Sequence, residues 1–143
     1  MRINDVLNAK SSSDVITIGP DASVRDLVAL LAEHNVGALI VSADGESVDG
    51  IVSERDVVRR LNDRPDVLDA RVSELMTTDV RTCEGDAALT ELMRVMTEHR
   101  VRHVPVLTGG KLTGIISIGD VVKNRIGELE FERDQLDSYL HQT

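Results

Sequence analysis

Two serine-aspartate pairs carry the chemistry that this chain can offer. Ser53 and Asp56 lie in GIVSERDVV, residues 50–58, and Ser117 and Asp120 lie in GIISIGDVV, residues 114–122. In each stretch a glycine and two branched aliphatic residues precede the serine, the pattern of a buried strand running into a helix. A serine at a helix start offers its hydroxyl and the free N–H groups beside it to a phosphate, and the helix dipole adds partial positive charge. An aspartate one turn into the helix can accept two hydrogen bonds from the vicinal hydroxyls of a ribose. In the first stretch Ile51 and Val52 supply an apolar wall against which a planar base could lie. The same Ser-x-x-Asp spacing is also that of a helix capping box, which needs no ligand, and spacing alone does not choose between the two.

Basic residues set the two stretches apart. Arg55 sits inside the first and could reach a phosphate with its planar fork, whereas Gly119 occupies the matching position of the second. A further basic source is VRHVPV, where Arg102 and His103 stand in place of Gly37 and Ala38. Strand alternation sends neighbours to opposite faces, so at most one of these two is expected to point into a given cleft. His99 and His103 are four apart, but a strand begins between them, so no shared helical face for a metal is expected. Cys83 is followed by Glu84 and has no adjacent basic residue to lower its thiol pKa, so it is not read as a nucleophile. Neither a Walker loop nor GxGxxG is present, and the acids near the motifs form no base and nucleophile pair, so catalysis is not expected.

The elements that position these residues are written twice. At an offset of 65, Val15, Thr17, Asp21, Ala22, Leu27, Glu33, His34, Val36 and Val41 match Val80, Thr82, Asp86, Ala87, Leu92, Glu98, His99, Val101 and Val106. The offset becomes 64 after a turn, SADGESVDG in the first copy and the Gly-Gly hairpin signal LTGGKL in the second. The pattern predicts a strand at VITI, a helix opened by a Ser23/Asp26 capping box with Val24, Leu27, Val28 and Leu31 on its buried face, a buried strand over 36–41, its hairpin partner over 48–52, and a helix over 53–61. The second copy predicts a helix with Leu89, Leu92, Met93 and Met96 on its face, strands over 101–106 and 112–116, and a helix from Ser117. Gly85 and Ala88 replace Pro20 and Ser23, which weakens that first helix start. Asn62 to Leu68, with Pro65, reads as a linker. Residues 124–143 read as a helix with Ile126, Leu129, Leu136 and Leu140 near one face and both aromatics, Phe131 and Tyr139.

The twice-written Gly-hydrophobic-hydrophobic-Ser-x-x-Asp, each copy at a strand-to-helix junction, resembles the tandem cystathionine-beta-synthase (CBS) domain pair, or Bateman module, over roughly residues 1–125. That resemblance implies an α+β fold of two β-α-β-β-α repeats about a pseudo-two-fold axis, with repeat 1 over 1–64, repeat 2 over 65–125 and a helical extension over 126–143. It implies non-catalytic regulation by an adenosine nucleotide, AMP, ADP, ATP or NAD, bound in clefts between the repeats and held by Ile51, Ser53, Arg55, Asp56, Ile115, Ser117 and Asp120. In the family the stretches bearing Thr17 and Thr82 line the base and ribose, and basic residues at the strand bearing Arg102 and His103 touch phosphates. S-adenosylmethionine or a cyclic dinucleotide is an alternative ligand. A purely structural dimerisation module with empty clefts is an alternative role. The resemblance also implies a homodimer and a separate effector protein.

Composition bounds the rest. With 25 acidic against 16 basic residues the net charge is -9, which disfavours extended nucleic acid. No apolar run reaches the ~20 residues of a membrane span, and the first ten residues lack a signal-peptide core. The lone Cys83 cannot form an internal disulfide. These features suggest a cytoplasmic protein.

Overall fold

The computed structural model describes residues 1–10 and 15–141. In the first repeat β1 (Thr17–Ile18) leads to α2 (Val24–His34), then β2 (Ala38–Val41), β3 (Gly50–Ser53) and α3 (Glu54–Asp63), with α1 (Ile3–Ala9) preceding them. The second repeats the series as β4 (Cys83–Glu84), α4 (Leu89–His99), β5 (His103–Thr108), β6 (Lys111–Ser117) and α5 (Ile118–Leu140). Each sheet has three strands in the order β1-β2-β3 or β4-β5-β6, the first pair parallel and the second antiparallel. The register is equivalent, Ile40 facing Ile51 and Pro105 facing Ile115. The β5-β6 hairpin turns on Gly109 and Gly110, both at positive φ, as its Gly-Gly pair predicts.

Helices start and stop where their local chemistry dictates. The Ser23 hydroxyl accepts the Asp26 N–H at 3.1 Å, but Asp26 does not reach back, so the expected capping box is half of one. Ala88 gives α4 no side-chain cap, as its replacement of serine predicts. Val24, Leu27 and Leu31 are buried, whereas Val28 is 39% exposed, a correction to its expected place on the buried face. The strand expected over 36–41 begins at Ala38, and Val36 stays exposed.

Two cores form, and each borrows from outside its own repeat. Leu89, Leu92, Met96, Val104, Val106 and Ile116 pack with Ile3 and Val6 of α1. Val24, Leu27, Leu39, Val41, Val52 and Val57 pack with Val67, Ala70, Val72 and Leu75. The exchange is reciprocal: Arg2 bridges Ala88 while Arg71 bridges Ser23, and the Ile3 N–H donates to Ala87 as the Val72 N–H donates to Ala22. Such matched contacts are the signature of a pseudo-two-fold relation between the repeats. Two expectations are corrected here. The stretch read as a linker, 62–68, ends in a 3-10 turn over Val67–Asp69 whose Val67 is fully buried, because an apolar residue beside Pro65 finds the first core. The tail is no separate helix. It continues α5, which runs unbroken over Ile118–Leu140, and residues 142–143 lie outside the described residues.

Candidate functional site

Both serine-aspartate pairs sit at strand-to-helix junctions and form complete capping boxes. Asp56 Oδ2 accepts from the Ser53 N–H at 2.8 Å and the Ser53 hydroxyl at 3.0 Å, while Ser53 Oγ accepts the Asp56 N–H at 3.3 Å. Asp120 Oδ2 accepts from the Ser117 N–H at 2.9 Å, and Ser117 Oγ accepts the Asp120 N–H at 3.2 Å. The box does not exhaust the carboxylates, because each uses one oxygen in these bonds. Each helix start is clipped to the segment entering the neighbouring strand, Glu54 N–H to Gly37 and Ile118 N–H to Arg102. Those clips bring the motifs up against the segments around Gly37 and Arg102.

A cavity of about 300 Å³ opens beside the first box, at the small end of the range that holds small-molecule ligands. Ile51, Ser53, Arg55, Asp56, Arg102 and His103 line it, so the structure brings together six of the expected residues. Arg59, Thr77, Asp79, Arg81 and Arg100 also line it and were not anticipated. Arg59 was within reach of sequence reasoning, since it lies one turn beyond Arg55 on the same face of α3. Arg100 ends α4 in the left-handed conformation at φ 53°, which carries no sequence signal at an arginine.

Arg102 and His103 both face this cavity, which corrects the expectation that alternation would separate them. Arg102 precedes β5, in a bend, so the two-residue period of a strand does not govern it. The result is five arginines, 55, 59, 81, 100 and 102, around one cavity. Among the described residues the ion pairs of arginine are made by Arg25, Arg64, Arg71, Arg94, Arg125 and Arg133, and by none of these five. In a chain of net charge -9 this is a concentrated positive field.

The second cavity, about 360 Å³, is lined by Ile115, Ser117, Asp120 and His103 together with Lys10, Asn35, Val36, Gly37 and Ala38. Its electrostatics differ. Lys10 Nζ donates to Asp120 Oδ2 at 2.9 Å, and among the described residues no arginine lines the cavity. Burial pushes the Asp120 carboxyl up, but the Ser117 N–H and Lys10 outweigh it and hold the group below the usual carboxylate value. His103 and Ala38 line both cavities. Burial lowers the His103 pKa, against the pull of Asp120 and Glu54, so the ring is neutral at neutral pH. Thr17 is half-buried in β1 opposite Ile40, and Thr82 is exposed just before β4; both lie outside the lining of these two cavities.

Burial pushes the Cys83 thiol up to about 12, with Glu84 and Glu91 adding to the shift, so thiolate chemistry is suppressed there. Among the described residues no cluster of three metal-ligating side chains occurs, and no helix is long and apolar enough to cross a membrane.

Two tandem repeats of this topology, with paired junction motifs, define a CBS-domain pair, and the model of the CBS domain family matches residues 3–63 and 72–127. The chain belongs to that family. It is 32% identical over 146 residues to the CBS domain-containing protein CBSX3, mitochondrial, of Arabidopsis thaliana, covering 96% of this chain and 71% of that protein. The crystal structure of the CBS-domain containing protein ATU1752 from Agrobacterium tumefaciens superposes with a TM-score of 0.81 at 42% identity, covering 87% of this chain and 99% of that one. The CBS domain pair of protein MJ0100, solved with 5′-methylthioadenosine and S-adenosyl-L-methionine, shares the fold at a TM-score of 0.76 and 22% identity, over 86% of this chain and 98% of that one.

Proposed function

We propose that the chain is a regulatory sensor that binds a phosphorylated adenosine nucleotide, AMP, ADP, ATP or NAD, in the first cavity. The observation that supports this reading is the set of five arginines with no carboxylate partner. Guanidinium forks match phosphate oxygens bidentately, and five of them against the two carboxylates of the lining, Asp56 and Asp79, leave a positive excess that an anionic ligand would offset. A sulfonium ligand such as S-adenosylmethionine would bring positive charge into that field, so the arginines disfavour it here. The carboxylate of Asp56 and the wall of Ile51 are then in place for ribose and base. The reading is one of sensing rather than turnover, in the cytoplasm, with the signal passed to a separate effector protein.

ATP at a hundred times its dissociation constant is expected to stabilise the protein by ~2.7 kcal/mol, measured as a rise in melting temperature. Arg55→Ala is expected to weaken ATP binding about tenfold or more by calorimetry while changing adenosine binding little, since a charge-assisted hydrogen bond is worth ~1.5–3 kcal/mol. Equal losses for ATP and adenosine would remove the phosphate role of Arg55. If no adenosine compound moves the melting temperature, the module is structural.

We also propose that the chain forms a homodimer. The twice-written Val-Val supports this: Val57 and Val121 are buried, while Val58 and Val122 are 65% and 50% exposed, with Leu61, Ile118 and Ile126 exposed beside them. Apolar side chains placed outward in matching positions of both repeats suit a face covered by a second copy. Phe131, Leu136, Tyr139 and Leu140 extend that exposure along α5. Truncation after Lys123 is expected to shift a light-scattering dilution series toward monomer. A truncated chain as dimeric as the full one would exclude the distal part of α5 from the contact.

A further inference from the structure

Lys10 stands where the second cavity would have to receive a ribose. Its ammonium donates to Asp120 Oδ2 at 2.9 Å and to the Ile115 carbonyl at 3.0 Å, so the side chain reaches from β6 to the first turn of α5. Both side chains are largely withdrawn from water, Lys10 at 30% and Asp120 at 24% exposure. The first cavity is built differently. There the matching carbonyl, that of Ile51, accepts the Thr77 backbone N–H at 2.9 Å, and no cation approaches Asp56 within ion-pair distance among the described residues. The difference traces to the segments that lead into the repeats. Thr77 forms an isolated antiparallel bridge with Ile51 of β3, whereas α1 remains helical to Ala9 and offers Ile115 no backbone donor. The Lys10 ammonium supplies that donor and bonds one carboxylate oxygen, Oδ2, of Asp120 as well.

We propose that Lys10 is a resident occupant of the second cavity, filling the hydrogen-bonding positions that a riboside would use and limiting the chain to one nucleoside ligand, in the first cavity. Lys10 and the Ser117 N–H share Asp120 Oδ2, so a ribose diol is left Oδ1 alone, beside the ammonium, and a diol spanning both oxygens would compete with a charge-assisted N–H···O bond using neutral O–H donors, which are roughly half as strong. It would also leave the partly buried ammonium with the Ile115 carbonyl but without its countercharge. The proposal rests on the reading of the first cavity for its count of one, and on the Lys10 contacts for the closure of the second.

Titration calorimetry with adenosine separates the two. The unmodified chain is expected to bind one adenosine, Lys10→Ala two, and the Lys10→Ala, Asp120→Ala double variant one again. The second site is expected to tighten about fivefold or more on loss of Lys10, the factor that releasing a partly buried ion pair is worth. ATP affinity at the first cavity, unchanged across all three within about twofold, shows that the variants remain folded. Two adenosines in the unmodified chain, or a single one in Lys10→Ala, would overturn the proposal. If the unmodified chain binds none and Lys10→Ala gains one site that Asp120→Ala removes, Lys10 is confirmed as the occupant while the reading of the first cavity fails. Absence of binding in every variant overturns both.

Discussion

Replacing Ile3 with alanine is expected to cost ~2–5 kcal/mol of unfolding free energy, a large share of the ~5–15 kcal/mol that holds a domain of this size together. The cause is the exchange of lead segments. Ile3 is fully buried, yet its partners are Leu89, Leu92, Val104 and Ile116 of the other repeat rather than its own. Deleting three of its carbons opens a cavity under the second sheet, and the short α1 has little intrinsic stability with which to close it. The lone cysteine makes this measurable. Cys83 packs against the same core with its thiol pushed up to about 12, so in the intact chain it should react slowly with a thiol reagent. A loss of ~2 kcal/mol multiplies the opened population about thirtyfold, and labelling of Cys83 should accelerate to match where opening is fast relative to modification. An Ile3→Ala chain with an unshifted urea midpoint and unchanged labelling would mean that α1 is dispensable to the second core.

That dependence was not legible in the sequence, and the reason is one of spacing. The repeats align at an offset of 65, but their lead segments align at 69, Arg2 with Arg71 and Leu7 with Met76, because the connections that follow differ in length. Self-comparison at one offset therefore stops at Val15. Within the repeats the reading was close. The order of strands and helices, the Gly-Gly hairpin and the Ser53 and Ser117 caps follow from alternation, helical period and turn chemistry, all of them local signals. Ends of elements were less accurate, as at VITI, of which only Thr17 and Ile18 pair in the sheet. The motif residues of both cavities could be named because strand-to-helix junctions are written contiguously. Arg81, Arg100 and Thr77 could not, since they reach the first cavity from the second repeat and from the segment between the repeats, and nothing in a linear pattern brings those stretches to β3. Lys10 was hidden for the same reason.

The glycines that open the two quoted stretches are expected to differ in what they tolerate, and Gly50→Ala should be the costlier change by a clear margin. A Cβ on Gly50 would meet Met76 Sδ at 2.8 Å and the Thr77 carbonyl oxygen at 2.8 Å. That oxygen is not free to move, because it accepts the Ile51 N–H at 2.9 Å while Ile51 accepts the Thr77 N–H at 2.9 Å. Relief therefore requires parting two backbone segments and weakening both bonds, and ~1–3 kcal/mol is the usual cost of overpacking of this kind. The nearest atoms to a Cβ on Gly114 belong to Leu7, at 2.6 Å to Cδ2 and 2.9 Å to Cδ1, the far end of a side chain that can change rotamer. Gly114→Ala should accordingly stay below ~1.5 kcal/mol. The two variants also differ in their reach. Ile51 and Thr77 line the arginine-rich cavity, so Gly50→Ala is expected to weaken ATP binding as well as stability, while Gly114→Ala leaves ATP binding unchanged. Urea midpoints and ATP titrations on the two variants decide the matter. A Gly114→Ala loss equal to or above that of Gly50→Ala would show that Leu7 is held as firmly as a backbone carbonyl, and ATP affinity unaltered in Gly50→Ala would show that the Ile51 and Thr77 bridge does not shape the cavity.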